Sequence, residues 1–93
     1  MAGLPRETTR EQVVAALEQF DRELRPTPKW AGWDAKKAQK FVLAHAGRTY
    51  PPKQVIALAT GCGVNTFSGG DETNRFLRAR GFTIQDLRAA DAP

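Results

Sequence analysis

The sequence predicts an α+β fold, mostly helical, in which about three helices pack with a small sheet built on a β-hairpin. Three observations lead there. Apolar residues recur at helical spacing in separate stretches, and each stretch ends at proline or glycine. Between two of these stretches, the apolar run Lys40-Phe41-Val42-Leu43-Ala44-His45 is followed by a turn dipeptide, Ala46-Gly47, and a short return, Arg48-Thr49-Tyr50. Finally, 93 residues with 41% hydrophobic and 26% charged side chains suit one small globular core. The expected organisation is a single domain over 1–93, with 1–7 a lead-in and 88–93 a tail.

The first helix is expected from about Thr9 to Leu24. Val13, Val14, Leu17, Phe20 and Leu24 recur at its period, and Thr8 with Glu11 has capping-box spacing. Pro26 and Pro28 end it. Trp30 and Trp33 follow in a connector, where two large rings serve as a core plug; a stacking surface for a base is the alternative. The hairpin comes next, its rival being a helix running from Ala35 through Ala46. Pro51 and Pro52 fit the first turn of a second helix, where a missing N–H costs nothing. Val55, Ile56, Leu58 and Ala59 give that helix its buried face, and Gly61 and Gly63 stop it. A third helix spans Asp71 to Arg80, with Phe76 and Leu77 inward and Gly81 as its stop. Phe82-Thr83-Ile84 reads as a third strand, and Ile84 to Ala90 as a last helical turn.

The net charge is +4, which suits an anionic partner. The distribution is uneven: residues 1–21 are net negative, 54–93 balance, and 22–53 hold Arg22, Arg25, Lys29, Lys36, Lys37, Lys40, Arg48 and Lys53 against Glu23 and Asp34. Cys62 is the only cysteine, so no intramolecular disulfide and no cysteine-based zinc site can form. His45 is the only histidine, and no nucleophile–base pair accompanies it. Neither a cofactor motif nor a metal triad stands out. No apolar run approaches ~20 residues and no signal-peptide pattern is present, so a cytoplasmic protein without membrane contact is expected.

Two segments carry chemistry. Tyr50-Pro51-Pro52-Lys53 joins an aromatic ring, two pyrrolidine rings and a cation just before a helix. Phe67-Ser68-Gly69-Gly70-Asp71-Glu72-Thr73-Asn74 is a two-glycine loop that opens another. Glycines let backbone N–H groups approach an anion, and a helix start adds the positive end of its dipole. A rigid strand-to-helix corner and a plain N-cap by Ser68 or Asp71 are the purely structural readings of these segments. The loop is no P-loop, since no Gly-Lys-Ser/Thr follows.

In that order, Arg48-Thr49-Tyr50-Pro51-Pro52-Lys53, an apolar helix, Phe67-Ser68-Gly69-Gly70, Thr73-Asn74 to Leu77 and Gly81-Phe82, the chain resembles the DNA sulfur-binding domain of type IV restriction endonucleases, a module usually joined to an HNH nuclease. The resemblance covers about residues 30–84, with 1–29 matching only as a generic leading helix. It implies bacterial defence through non-catalytic recognition of double-stranded DNA carrying a phosphorothioate, with a fused or associated nuclease as partner. Carried over residue by residue, it implies that Tyr50 and Pro51 line a shallow apolar pocket for sulfur, and that Ser68, Gly69 and Gly70 form the loop at the modified phosphate. By their nearness to these motifs, Arg48, Lys53, Arg75 and Arg78 are the first candidates for phosphate contacts. Thr73, Asn74 and Arg75, at the start of the third helix, are placed to reach phosphates or base edges. A generic basic DNA-binding module indifferent to sulfur, and a protein-interaction domain with a Pro/Trp docking face, are the alternatives.

Overall fold

The computed structural model describes residues 4–33, 40–64, 66–67 and 70–87. Helix α1 spans Arg10–Gln19. Its N-cap is Thr9, whose hydroxyl accepts from the Gln12 N–H at 3.1 Å while the Gln12 side chain accepts from the Thr9 N–H at 2.7 Å. The capping box is therefore one residue later than the Thr8–Glu11 spacing suggested. Thr8 instead lies buried, with its carbonyl accepting from Arg80 Nε at 2.7 Å. At Phe20–Leu24 the helix widens into a π turn, closed by the Arg25 N–H donating to the Phe20 carbonyl at 2.8 Å. Pro26 prevents further continuation, and a 3-10 turn follows at Pro28–Trp30.

The hairpin forms as expected. Strand β1 is Phe41–His45 and β2 is Arg48–Tyr50, so the rival helix is excluded from Phe41 onward; its earlier part, 34–39, lies outside the described residues. Ala46 and Gly47 both have positive φ, 52° and 79°, as a tight two-residue hairpin turn requires. Helix α2 is Pro52–Thr60, ended by Gly61 in the left-handed region, and α3 is Asp71–Arg78. Gly81 closes α3: its N–H reaches the Arg78 carbonyl at 2.9 Å and the Phe82 N–H reaches Leu77 at 3.1 Å, the paired bonds of a Schellman stop. Strand β3 is Thr83–Asp86, longer than predicted, because it pairs with β1 over its whole length. Of the last helical turn expected over Ile84 to Ala90, the part through Asp86 is strand, Leu87 is helical, and residues 88–90 lie outside the described residues.

The sheet is antiparallel, in the order β2-β1-β3. Leu43 lies opposite Tyr50 on one side and Ile84 on the other, which puts these three side chains on one face. All three are buried, and they join Val13, Leu17 and Phe20 of the first helical segment, Val55 and Ile56 of α2, and Phe76 and Leu77 of α3 in one core. The two tryptophans plug its end: Trp33 is buried, Trp30 half-buried, and both meet the Phe20 ring edge-on at 6.4 and 5.3 Å. The architecture is α+β, with three α-helices among the described residues and more helix than strand.

Candidate nucleic-acid interface

Strand β2 delivers Tyr50 into the core row and Pro51 to the mouth of α2. Pro51 is the N-cap, with extended backbone, and Pro52 is the first helical residue. Neither offers a capping side chain, and the Val55 N–H closes the first turn on the Pro51 carbonyl at 3.0 Å. Tyr50, at 3% exposure, is a core residue, and Pro51 and Pro52 are also buried. Lys53 is half-buried, with its ammonium 5.4 Å from the centre of the Phe67 ring. That contact joins the two segments that carried the chemistry in the sequence. Gly70, three residues beyond Phe67, precedes α3.

Helix α3 starts at Gly70, whose φ of 74° suits glycine and leaves the helix without a side-chain cap. Ser68 and Gly69, expected in this loop, lie outside the described residues. The N-cap position falls on Gly70 rather than on Asp71, and the expected cap by Ser68 lies outside the described residues. Asp71 and Glu72 are exposed in its first turn. Thr73 and Asn74 turn inward, at 1% and 4% exposure, and Asn74 Oδ1 is buried with no hydrogen-bond partner among the described residues. Arg75 and Arg78 are exposed, and with Asp71 they share one face of the helix and line an open indentation.

A third group, missed by sequence reading, ties β2 to the first helical segment. Asp21, on the π turn, accepts from the Tyr50 hydroxyl at 2.7 Å through Oδ2 and from Arg25 Nε at 2.6 Å through Oδ1. Arg48 reaches the same Oδ1 at 3.3 Å. Arg25 also donates to the Thr49 carbonyl at 2.7 Å and lies over the Phe20 and Tyr50 rings, 5.1 and 4.9 Å from their centres. Burial is the largest influence on the Asp21 carboxyl and opposes its ionisation. The hydrogen bonds from Tyr50 and Arg25 and the charges of Arg25 and Arg48 together outweigh it, so its pKa lies below the ordinary value. Burial, then the bond to Asp21, raises the pKa of the Tyr50 phenol. The Asp21–Arg25 pair was visible as an i,i+4 spacing, but Tyr50 is 29 positions away and carried no signal of the link.

The remaining candidates take structural places. His45 meets the Phe82 ring edge-on at 5.6 Å, and Cys62 is half-buried beside the core. Among the described residues, no cluster of three or more His, Cys, Asp or Glu side chains is arranged to hold a metal. Likewise, no helix of the described residues is long and apolar enough to cross a membrane.

The family described as "ScoMcrA-like, N-terminal head domain" matches residues 6–86, from the lead-in before α1 to the end of β3. No curated protein and no solved structure matches the chain. The chain belongs to this family, that of the type IV restriction enzymes which recognise phosphorothioate DNA, and its place there is that of a DNA-binding targeting module.

Proposed function

We propose that this domain binds duplex DNA at a phosphorothioate, without catalysis, and directs a fused or associated HNH nuclease to it as part of cytoplasmic bacterial defence. The observation that carries the reading is the Lys53–Phe67 contact, which brings the cation at the start of α2 against the ring that precedes the α3 loop. A helix start attracts anions through the positive end of its dipole.

In this reading Pro51 meets the sulfur, and Tyr50 forms the base of the cup from beneath. Only a small apolar edge is needed, because one atom is being read. Moving a phosphate oxygen from water to such an edge carries a polar desolvation cost. Sulfur is less strongly hydrated and more polarizable, so it loses less and gains dispersion contacts. A preference of some tens-fold needs only about 2 kcal/mol. Ser68, Gly69 and Gly70 form the loop at the modified phosphate. Arg48, Lys53, Arg75 and Arg78 contact neighbouring phosphates, with Arg75 the candidate for a base edge. Thr73 and Asn74, being buried, act by holding the start of α3 in place.

The test is a titration of one short duplex in two versions, differing by a single phosphorothioate, at two salt concentrations. Binding about tenfold or more tighter to the sulfur version at both salts is the expected result. Equal binding that collapses with salt leaves a basic DNA-binding surface alone. Absence of binding across a panel of flanking sequences returns the Pro/Trp protein-docking alternative.

A further inference from the structure

The Asp21 carboxylate has three cationic or hydrogen-bonding neighbours, and they are unequal. Arg25 and Tyr50 hold it at 2.6 and 2.7 Å and are themselves largely buried. Arg48 stands farther off, at 3.3 Å, and 60% of its side chain is exposed. An ion pair of that kind contributes little, so Arg48 can leave at small cost. Arg25, by contrast, is fixed by its bond to the Thr49 carbonyl and its place over two rings. Arg48 also lies two residues before Tyr50 on β2, on the strand that leads directly to Pro51 and α2.

We infer that Asp21 is an affinity-limiting residue of the DNA interface: its carboxylate occupies Arg48 in the free protein and so restrains binding to any phosphate backbone. The inference rests on the duplex-DNA part of the proposed function, not on sulfur. A backbone phosphate competes with Asp21 for the Arg48 guanidinium, and the carboxylate adds a repulsive charge beside that phosphate. Sequence-independent attraction is therefore lowered for plain and phosphorothioate duplexes alike, and the difference between them is left to the rest of the surface. Asparagine at this position keeps an acceptor for Tyr50 and removes the charge that detains Arg48.

The test uses wild type, Asp21→Asn, Arg48→Gln and the double variant, each titrated with plain and phosphorothioate duplexes between 50 and 200 mM salt, with folding checked by circular dichroism. Asp21→Asn is expected to bind plain duplex about three- to tenfold more tightly at the lower salt. Its logarithmic salt slope should stay within about 0.9 of the wild-type value, because Arg48 reaches the phosphate in both proteins and only the cost of leaving Asp21 is removed. In the double variant that gain should vanish. Unchanged plain-duplex affinity in a folded Asp21→Asn protein overturns the inference, as does a gain that survives in the double variant. If Asp21→Asn does not fold, Arg48→Gln decides: weaker binding to both duplexes with a slope shallower by about 0.9 supports it, and an unchanged slope overturns it. A wild type that ignores sulfur while Asp21→Asn still gains on plain duplex sinks the sulfur reading and leaves this inference standing. A wild type that binds neither duplex sinks both.

Discussion

At the scale of single residues, Tyr50 shows how one side chain serves both fold and site. Its ring fills the row with Leu43 and Ile84, and its hydroxyl donates to an ionised carboxylate. Hydrogen bonds to charged groups are worth roughly 1.5–3 kcal/mol, and leaving Asp21 with Arg25 and Arg48 softens the loss. Tyr50→Phe is therefore expected to lower unfolding free energy by about 1–2 kcal/mol in a urea titration, with little change in the slope of the transition. The pH profile separates the partners. Asp21, with its pKa lowered on folding, contributes stability that is present above about pH 4 and is lost as pH falls through the depressed value. Tyr50, with its pKa raised, contributes stability present below about pH 10 and lost as pH rises through the folded value. Tyr50→Phe should lack the alkaline decline due to this phenol and show a smaller acid one, because one of the bonds that depress Asp21 is gone. An alkaline decline equal to that of wild type would place the titrating group elsewhere.

At the scale of elements, the hairpin turn holds a misfit that can be corrected. Ala46 sits at φ 52°, a region its Cβ disfavours and asparagine tolerates, with Gly47 following at 79°. Both Ala46 and Gly47 are exposed, so a larger polar side chain meets no core. Ala46→Asn is expected to stabilise the domain by about 0.5–1 kcal/mol, read as a raised urea midpoint. No gain would mean that the strain at this turn is relieved another way. The elements were largely legible because their signals are local. The helical period of Val13, Leu17 and Phe20, the Ala46-Gly47 turn, Pro-Pro at a helix start and Gly81 at a helix end each lie within a few residues of what they specify. What was illegible depended on remote contacts. Thr8–Glu11 and Thr9–Gln12 have the same capping spacing, and the choice goes to Thr9 because Arg80, 72 positions away, engages the Thr8 carbonyl. The π turn and the link from Asp21 to Tyr50 fail to register for the same reason, and so did the inward turn of Thr73 and Asn74.

At the scale of the whole molecule, folding redistributes the mid-chain charge that the sequence displays. Arg25 is spent on Asp21 and the Thr49 carbonyl, and Arg22 pairs with its neighbour Glu23 at 3.2 Å. Lys29, Lys40, Arg48, Arg75 and Arg78 remain exposed, and Lys53, in the first turn of α2, lies against the Phe67 ring. Affinity and discrimination are therefore expected to separate by residue. Tyr50→Ala cannot show this, since truncating a buried aromatic costs about 3–5 kcal/mol and threatens a small core. Pro51→Ala is the usable probe. It keeps the extended backbone of the N-cap, trims the apolar edge, and leaves Lys53 where it is. In paired titrations, Pro51→Ala should bring the affinities for phosphorothioate and plain duplexes to within about threefold of each other while plain-duplex binding holds. Lys53→Ala should weaken both duplexes alike and make the logarithmic salt slope shallower by about 0.9. Discrimination that survives Pro51→Ala would rule out an apolar cup at this corner. A loss confined to modified DNA in Lys53→Ala would move the sulfur from the proline to the ammonium, and recognition would then rest on charge at the start of α2.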